Sequence, residues 1–260
     1  MKHDAEEAAR SRRWRRRLRG APQPPRGGGR LRPAVPGFTL VELLTVISII
    51  GLLMAIGLPT AAVANRKMKE SRVRAEMHGL IAAIESYKST YNQYPPDNAM
   101  VTGAYKTVNP ALNQLYYELT GTVSANNGAT YRPKASSADD MTALLPSATV
   151  ARYFHTPGFV NCSPDPAEVK SFLPDLKAAQ HARISASPGI EVLVTPIVWP
   201  LHPPANLPPP LAGLSANPMI LQLNPWRYVS TSPTNNPATY DLWADLVIGN
   251  QVVTVSNWKQ

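Results

Sequence analysis

The run PGFTLVELLTVISIIGLLMAIGLPTAAVANRKMKESR, residues 36–72, constrains the fold more than any other part of the chain. From Leu43 to Ala64 it holds twenty-two residues without a formal charge. As a helix these would extend ~33 Å at 1.5 Å per residue, enough to cross a ~30 Å hydrocarbon core. The many Val and Ile residues leave helix and strand open by composition, but the length favours helix. A membrane-spanning helix over 38–64 is the expectation. Pro59 falls inside it and predicts a local kink, tolerable where neighbouring helices or water satisfy the freed carbonyl. Gly51 and Gly57 would permit close helix contact, although their spacing is six. Glu42 stands near the start of the run. A carboxylate at a lipid boundary is costly unless neutralised or paired, so it is a functional candidate by default.

Before this run lies a cationic leader containing SRRWRRRLRG and APQPPRGGG. Residues 1–37 hold eleven Lys or Arg against three acids, whereas 38–260 hold fifteen against fourteen, so the formal charge of +9 belongs to the leader. A Gly/Pro-rich segment beside dense positive charge buries too little to fold alone. It reads as a cytoplasmic extension that fixes orientation by keeping its end inside. Arginine can also neutralise phosphates, but no nucleic-acid partner is expected. Cys162 is the sole cysteine, so an intramolecular disulfide is excluded. The chain has 27 prolines where ~5% usage would give about 13, which points to much loop and short strand after the first helix.

Gly37-Phe38-Thr39-Leu40-Val41-Glu42-Leu43-Leu44 resembles the processing and methylation segment of type IV pilins and type II secretion pseudopilins, and Pro59 falls at that family's usual proline. The resemblance implies that a prepilin peptidase/methyltransferase cuts between Gly37 and Phe38 and methylates the new amine of Phe38. It also implies that Glu42 pairs with a neighbouring subunit's N-terminal amine during fibre assembly. Such a pair makes physical sense, because each charge offsets part of the other's desolvation in a low-dielectric bundle.

After the span, Met77, Leu80, Ile81, Ile84, Tyr87 and Tyr91 recur at three- and four-residue steps, with Arg72, Glu76 and Lys88 opposite. The helix is expected to continue through 65–96 and to stop at Pro95-Pro96. The basic stretch Arg66 to Arg74 suits either anionic headgroups or plain solvent. Between 97 and 223 lies a variable proline-rich head region with a short helix over Ala111–Leu119 and a strand in EVLVTPIVW. SANNGATYRPKASSADD reads as turn-rich, and LHPPANLPPPLAGLSANP as a proline loop. Residues 224–260 carry strand-like WRYVS, YDLWA and VVTVSNW. This end, with Tyr94-Pro95 and Asn257-Trp258, resembles the helix end and closing sheet of the major pseudopilin of type II secretion. Some relatives bind calcium after the Tyr-Asp-Leu motif. At that place this chain has Ile248-Gly249 and lacks the expected acid, leaving Asp241 and Asp245 as weak calcium candidates.

The expected fold is therefore α+β and type IV pilin-like: a long N-terminal helix, membrane-spanning in its first half, packed on a small C-terminal antiparallel β-sheet head. None of His3, His78, His155, His181 and His202 has a patterned metal or nucleophile partner, so no enzyme is expected. The resemblance implies a structural subunit of a type II secretion pseudopilus that supports protein transport by fibre assembly. It would be anchored in a bacterial inner membrane with a periplasmic head, and its partners would be other pilin-like subunits and an inner-membrane assembly platform. The alternatives are a pilin of a surface pilus, for adhesion, DNA uptake or motility, and a membrane-anchored binding module.

Overall fold

The computed structural model describes residues 37–102, 105–107, 109–137, 139–185, 189–204, 207–214, 217–249 and 251–259, without the side chains of 56–61, 100–102 and 105–107. The arginine-rich leader, residues 1–36, lies outside the described residues. The chain divides into two compact units, Met1–Met54 and Ala55–Gln260.

Helix α1 spans Leu40–Tyr91. Thr39 starts it: its carbonyl accepts the Leu43 N–H at 3.1 Å, the first intrahelical bond. In the first unit the hydroxyls of Thr45 and Ser48 bond back to the carbonyls of Glu42 and Leu44, at 2.9 and 2.7 Å, so these polar groups do not interrupt the helix. The helix ends at Asn92, whose left-handed backbone (φ 57°) is the conformation Asn tolerates at a helix terminus. The stop thus falls before Pro95, the residue expected to impose it.

Among the described residues no helix is long and apolar enough to cross a membrane. From Asn65 to Arg74 the same helix is polar and charged. The membrane-spanning first half of the expected fold is therefore corrected, and with it the transmembrane helix and the single-pass inner-membrane location with a periplasmic head. The expected functions that depended on that anchor, pseudopilus subunit, surface pilin and anchored binding module, are corrected for the same reason.

The expected single small sheet is corrected as well, because the second unit holds four separate sheets among its described residues. A hairpin pairs β1 (Met100–Thr102) with β2 (Tyr105–Thr107). Helix α2 (Leu115–Thr120) leads into a four-stranded sheet in the order β5-β4-β3-β6, made of β3 (Thr122–Ala125), β4 (Thr130–Pro133), β5 (Leu145–Pro146) and β6 (Cys162–Ser163). Asn126, Asn127 and Gly128, all with positive φ, turn β3 into β4, where the sequence suggested only turns. Helix α3 (Ser147–Phe154) precedes β6, and β7 (His181–Arg183) pairs with β8 (Glu191–Leu193). Helix α4 (Pro218–Leu221), capped by the Asn217 side chain, follows the proline loop. The last sheet, ordered β11-β10-β9, joins β9 (Arg227–Val229), β10 (Asp241–Ile248) and β11 (Gln251–Ser256), all antiparallel.

The core of the second unit is built on one stripe of α1. Val73, Met77, Leu80, Ile84 and Tyr87 are buried at steps of four, three, four and three, as a 3.6-residue period requires. Tyr228, Leu242, Ala244, Leu246 and Val255 from the last sheet, and Leu115, Tyr117 and Leu119 from α2, belong to the same cluster. A buried acid organises the polar part. Glu118 accepts from the backbone N–H of Val160 and Asn161 at 2.9 Å each and from the Tyr87 hydroxyl at 2.9 Å. Asn161 in turn accepts from the Tyr91 hydroxyl at 2.7 Å. Gly121 closes this region at φ 89°, where a Cβ would come within 2.3 Å of Val169 Cγ1 and 2.8 Å of the Lys170 carbonyl.

Candidate processing and assembly segment

Residues 37–54 form the candidate site. Gly37 is exposed, and a Cβ placed on it would meet nothing within 4 Å among the described residues, so on that side they leave the peptide bond between Gly37 and Phe38 open. Phe38 is 81% exposed. Thr39 and Glu42 form a reciprocal cap. The Glu42 N–H donates to Thr39 Oγ1 at 3.2 Å, while Glu42 Oε2 accepts from the Thr39 N–H at 2.9 Å and from the Thr39 hydroxyl at 2.8 Å. Two donors that helix geometry would orphan are thus satisfied at the first turn. The Thr39 N–H, and then its hydroxyl, hold the Glu42 carboxyl below the usual carboxylate range. Glu42 sits in the positive end of the helix dipole, a place that also favours its charge.

Sequence reasoning saw Glu42 as an acid at a lipid boundary, awaiting a neighbouring subunit's amine, and missed this local partner. The signal was present: Thr-x-x-Glu directly before an apolar run is the capping-box pattern. Pro59, the expected kink, lies within α1, and its side chain falls outside the described ones. Beyond the cap, the helix carries apolar side chains on every face. Leu40, Leu43, Ile47, Leu52 and Leu53 are all more than half exposed.

The calcium candidates do not suit a cation. Asp241 is 3% exposed and is surrounded by donors. Its carboxylate accepts from the backbone N–H of Thr234, Asn235 and Asn236 at 2.8–2.9 Å and from Asn235 Nδ2 at 3.0 Å. Three of these bonds fall on Oδ2 and one on Oδ1, so N–H groups already neutralise much of the charge a cation would take. Asp245 accepts from the Thr254 hydroxyl at 2.6 Å and pairs with Arg227 at 3.4 Å. Among the described residues, no group of three His, Cys, Asp or Glu could hold a metal ion. His181 opens β7 and pairs with Glu191 at 2.5 Å, which accounts for it structurally.

Two curated proteins are similar to parts of this chain. One is the type IV major pilin protein PilA of Myxococcus xanthus (strain DK1622), 35% identical over 65 residues, which are 25% of this chain and 30% of that protein. Another is the fimbrial protein EcpC of Eikenella corrodens, 42% identical over 81 residues, 30% of this chain and 51% of that protein. The matched parts thus cover about a third to a half of the relatives' own lengths. No family model and no solved structure matches the chain. The chain therefore has a partial, distant similarity to pilin and fimbrial proteins, and the comparison does not extend to the narrower likeness to a secretion pseudopilin.

Proposed function

We propose that this chain is a non-catalytic, pilin-like structural protein that self-associates through the uncharged start of α1 once residues 1–37 have been removed. One observation carries the reading. Twelve apolar side chains between Phe38 and Met54 are 45–81% exposed. A helix that is apolar all round is stable in water only when something covers it. Covering four of its Leu or Ile side chains would contribute ~6–12 kcal/mol, comparable to the ~4–15 kcal/mol that association costs.

Homotypic packing of these helices is supported by the partial likeness to pilin and fimbrial proteins. A prepilin peptidase/methyltransferase would cut after Gly37 and methylate Phe38, and other pilin-like subunits would share the assembly. In a bundle of such helices, Glu42 would pair with the Phe38 amine of a neighbouring copy, a partner that exists only after the cut. The cap explains why Glu42 is already ionised and held in place when that amine appears.

Sedimentation velocity and electron microscopy of the chain starting at Phe38, beside the uncut chain, test this reading. Large homotypic assemblies are expected from the shorter chain and are expected to vanish in Ile47→Lys and Ile50→Lys. A shorter chain that stays monomeric, or assemblies indifferent to both substitutions, would sink it.

A further inference from the structure

In the second unit, the end of α3 and the end of the proline loop at Gly213-Leu214 line an open cavity of ≈ 340 Å³. This lies at the small end of the ~300–1,000 Å³ range of ligand sites. An inorganic ion would leave most of it to water, whereas a small organic molecule would fill it. Leu112 and Leu214 give it an apolar side. Among the described residues that line it there is no acid.

Two bases face this space instead. Arg152 and His155 both line the cavity and both are exposed, so a ligand can reach their side chains. The Arg152 guanidinium lies over the Tyr153 ring at 5.7 Å, and no carboxylate stands within ion-pair distance of it among the described residues. A guanidinium over a ring keeps its N–H edge free for a planar carboxylate. His155 ends α3 in left-handed backbone (φ 55°), its N–H closing on the Ala151 carbonyl at 3.1 Å. Its imidazole carries a donor N–H in either tautomer. The two side-chain amide oxygens of the lining are already engaged, Asn98 Oδ1 by the Asn109 N–H at 3.1 Å and Asn109 Oδ1 by the Ala111 N–H at 3.2 Å. Donors therefore dominate what the cavity offers, beside one apolar side.

We propose that this cavity binds a small organic carboxylate, with its charge on the Arg152 guanidinium, His155 as a second donor and its hydrocarbon body against Leu112 and Leu214. An alcohol with the same body would fill the same space but would bring no charge to Arg152. The site uses no residue of the apolar segment 38–54 and goes beyond the assembly role.

NMR titration of the amides of the full chain with benzoate, with benzyl alcohol as the uncharged control, tests the proposal. Benzoate is expected to shift the amides of Arg152, His155 and Gly213 saturably and to bind there about threefold or more tightly than benzyl alcohol, the scale of a partly exposed ion pair. Reading at these amides separates the site from benzoate held by the arginines of residues 1–36. Arg152→Gln is expected to remove the preference, and His155→Gln to weaken benzoate about twofold or more. Both side chains are exposed, so neither substitution is expected to disturb the fold. No saturable shift at these amides, equal binding of benzoate and alcohol, a preference that survives Arg152→Gln, or benzoate binding unchanged in His155→Gln would overturn the proposal.

Discussion

Thr39 and Glu42 satisfy each other's hydrogen-bonding groups across the first turn of α1: the Glu42 N–H reaches Thr39 Oγ1 at 3.2 Å, and Glu42 Oε2 takes the Thr39 N–H at 2.9 Å. Thr39→Ala should therefore fray the residues that a processing enzyme would have to recognise. The expected loss is ~1 kcal/mol of first-turn stability, read as faster hydrogen exchange of the Glu42 and Leu43 amides. Unchanged exchange would assign the cap no part in ordering this segment.

The same cap has a pH signature. The folded Glu42 carboxyl lies below its ordinary value, so its contribution is complete above the usual carboxylate range and is lost as pH falls through the lowered value. Exchange protection of the Glu42 and Leu43 amides, taken relative to the intrinsic rate at each pH, should fall on acidification in the wild type. In Glu42→Gln that acid-side change should be absent.

Glu118 is expected to act with the opposite sign. Burial raises its carboxyl, against the pull of the Asn161 and Val160 N–H groups and the Tyr87 hydroxyl. The folded state then holds its proton more tightly than the unfolded chain, so this group's contribution diminishes as pH rises from the ordinary carboxylate value through the raised one. Urea unfolding of wild type and Glu118→Gln across that window should show the wild-type advantage shrinking with pH. At any pH the Gln variant, with one acceptor fewer for these donors, should lose ~1–3 kcal/mol.

Gly121→Ala should destabilise the second unit by ~2–3 kcal/mol or more, because an alanine must adopt φ 89° and put its methyl group against Val169 Cγ1 and the Lys170 carbonyl. A thermal unfolding midpoint within a degree of wild type would contradict the packing described around Asn161.

Calcium should leave the protein unmoved. Neither added calcium nor a chelator is expected to shift the thermal midpoint, since backbone and side-chain N–H groups already take the Asp241 carboxylate. Asp241→Ala, by contrast, should cost ~2–3 kcal/mol by stranding those donors. A midpoint raised by calcium and not by magnesium would reverse this reading.

Helical periodicity from Met77 to Tyr87 was legible because a single buried face imposes it, and the strands WRYVS, YDLWA and VVTVSNW were legible from their β-branched and aromatic runs between turns. Residue type at one position told less. Asn92 ended α1 before Pro95, because an Asn that accepts positive φ terminates a helix as well as a proline does. The hairpin of β3 and β4 was hidden inside a turn-rich stretch, and its four residues per strand are too short for alternation to stand out. The membrane expectation came from counting uncharged residues along the chain. Among the described residues the structure holds no helix of that length and apolarity. At the candidate segment, the identity of Glu42 was read but its nearest partner, three residues away, was not. The buried Glu118 gave no signal at all, because its donors come from residues more than thirty positions distant.

The stripe of α1 from Val73 to Tyr87 also decides how the second unit would respond to tension. A pull along the helix axis loads the buried side chains together with the Tyr87 and Tyr91 hydroxyl bonds, in shear and all at once. Unzipping them one by one would need a pull across the axis instead. A protein drawn by the start of α1 would therefore surrender its fold late and abruptly, with the yield set by those tyrosines.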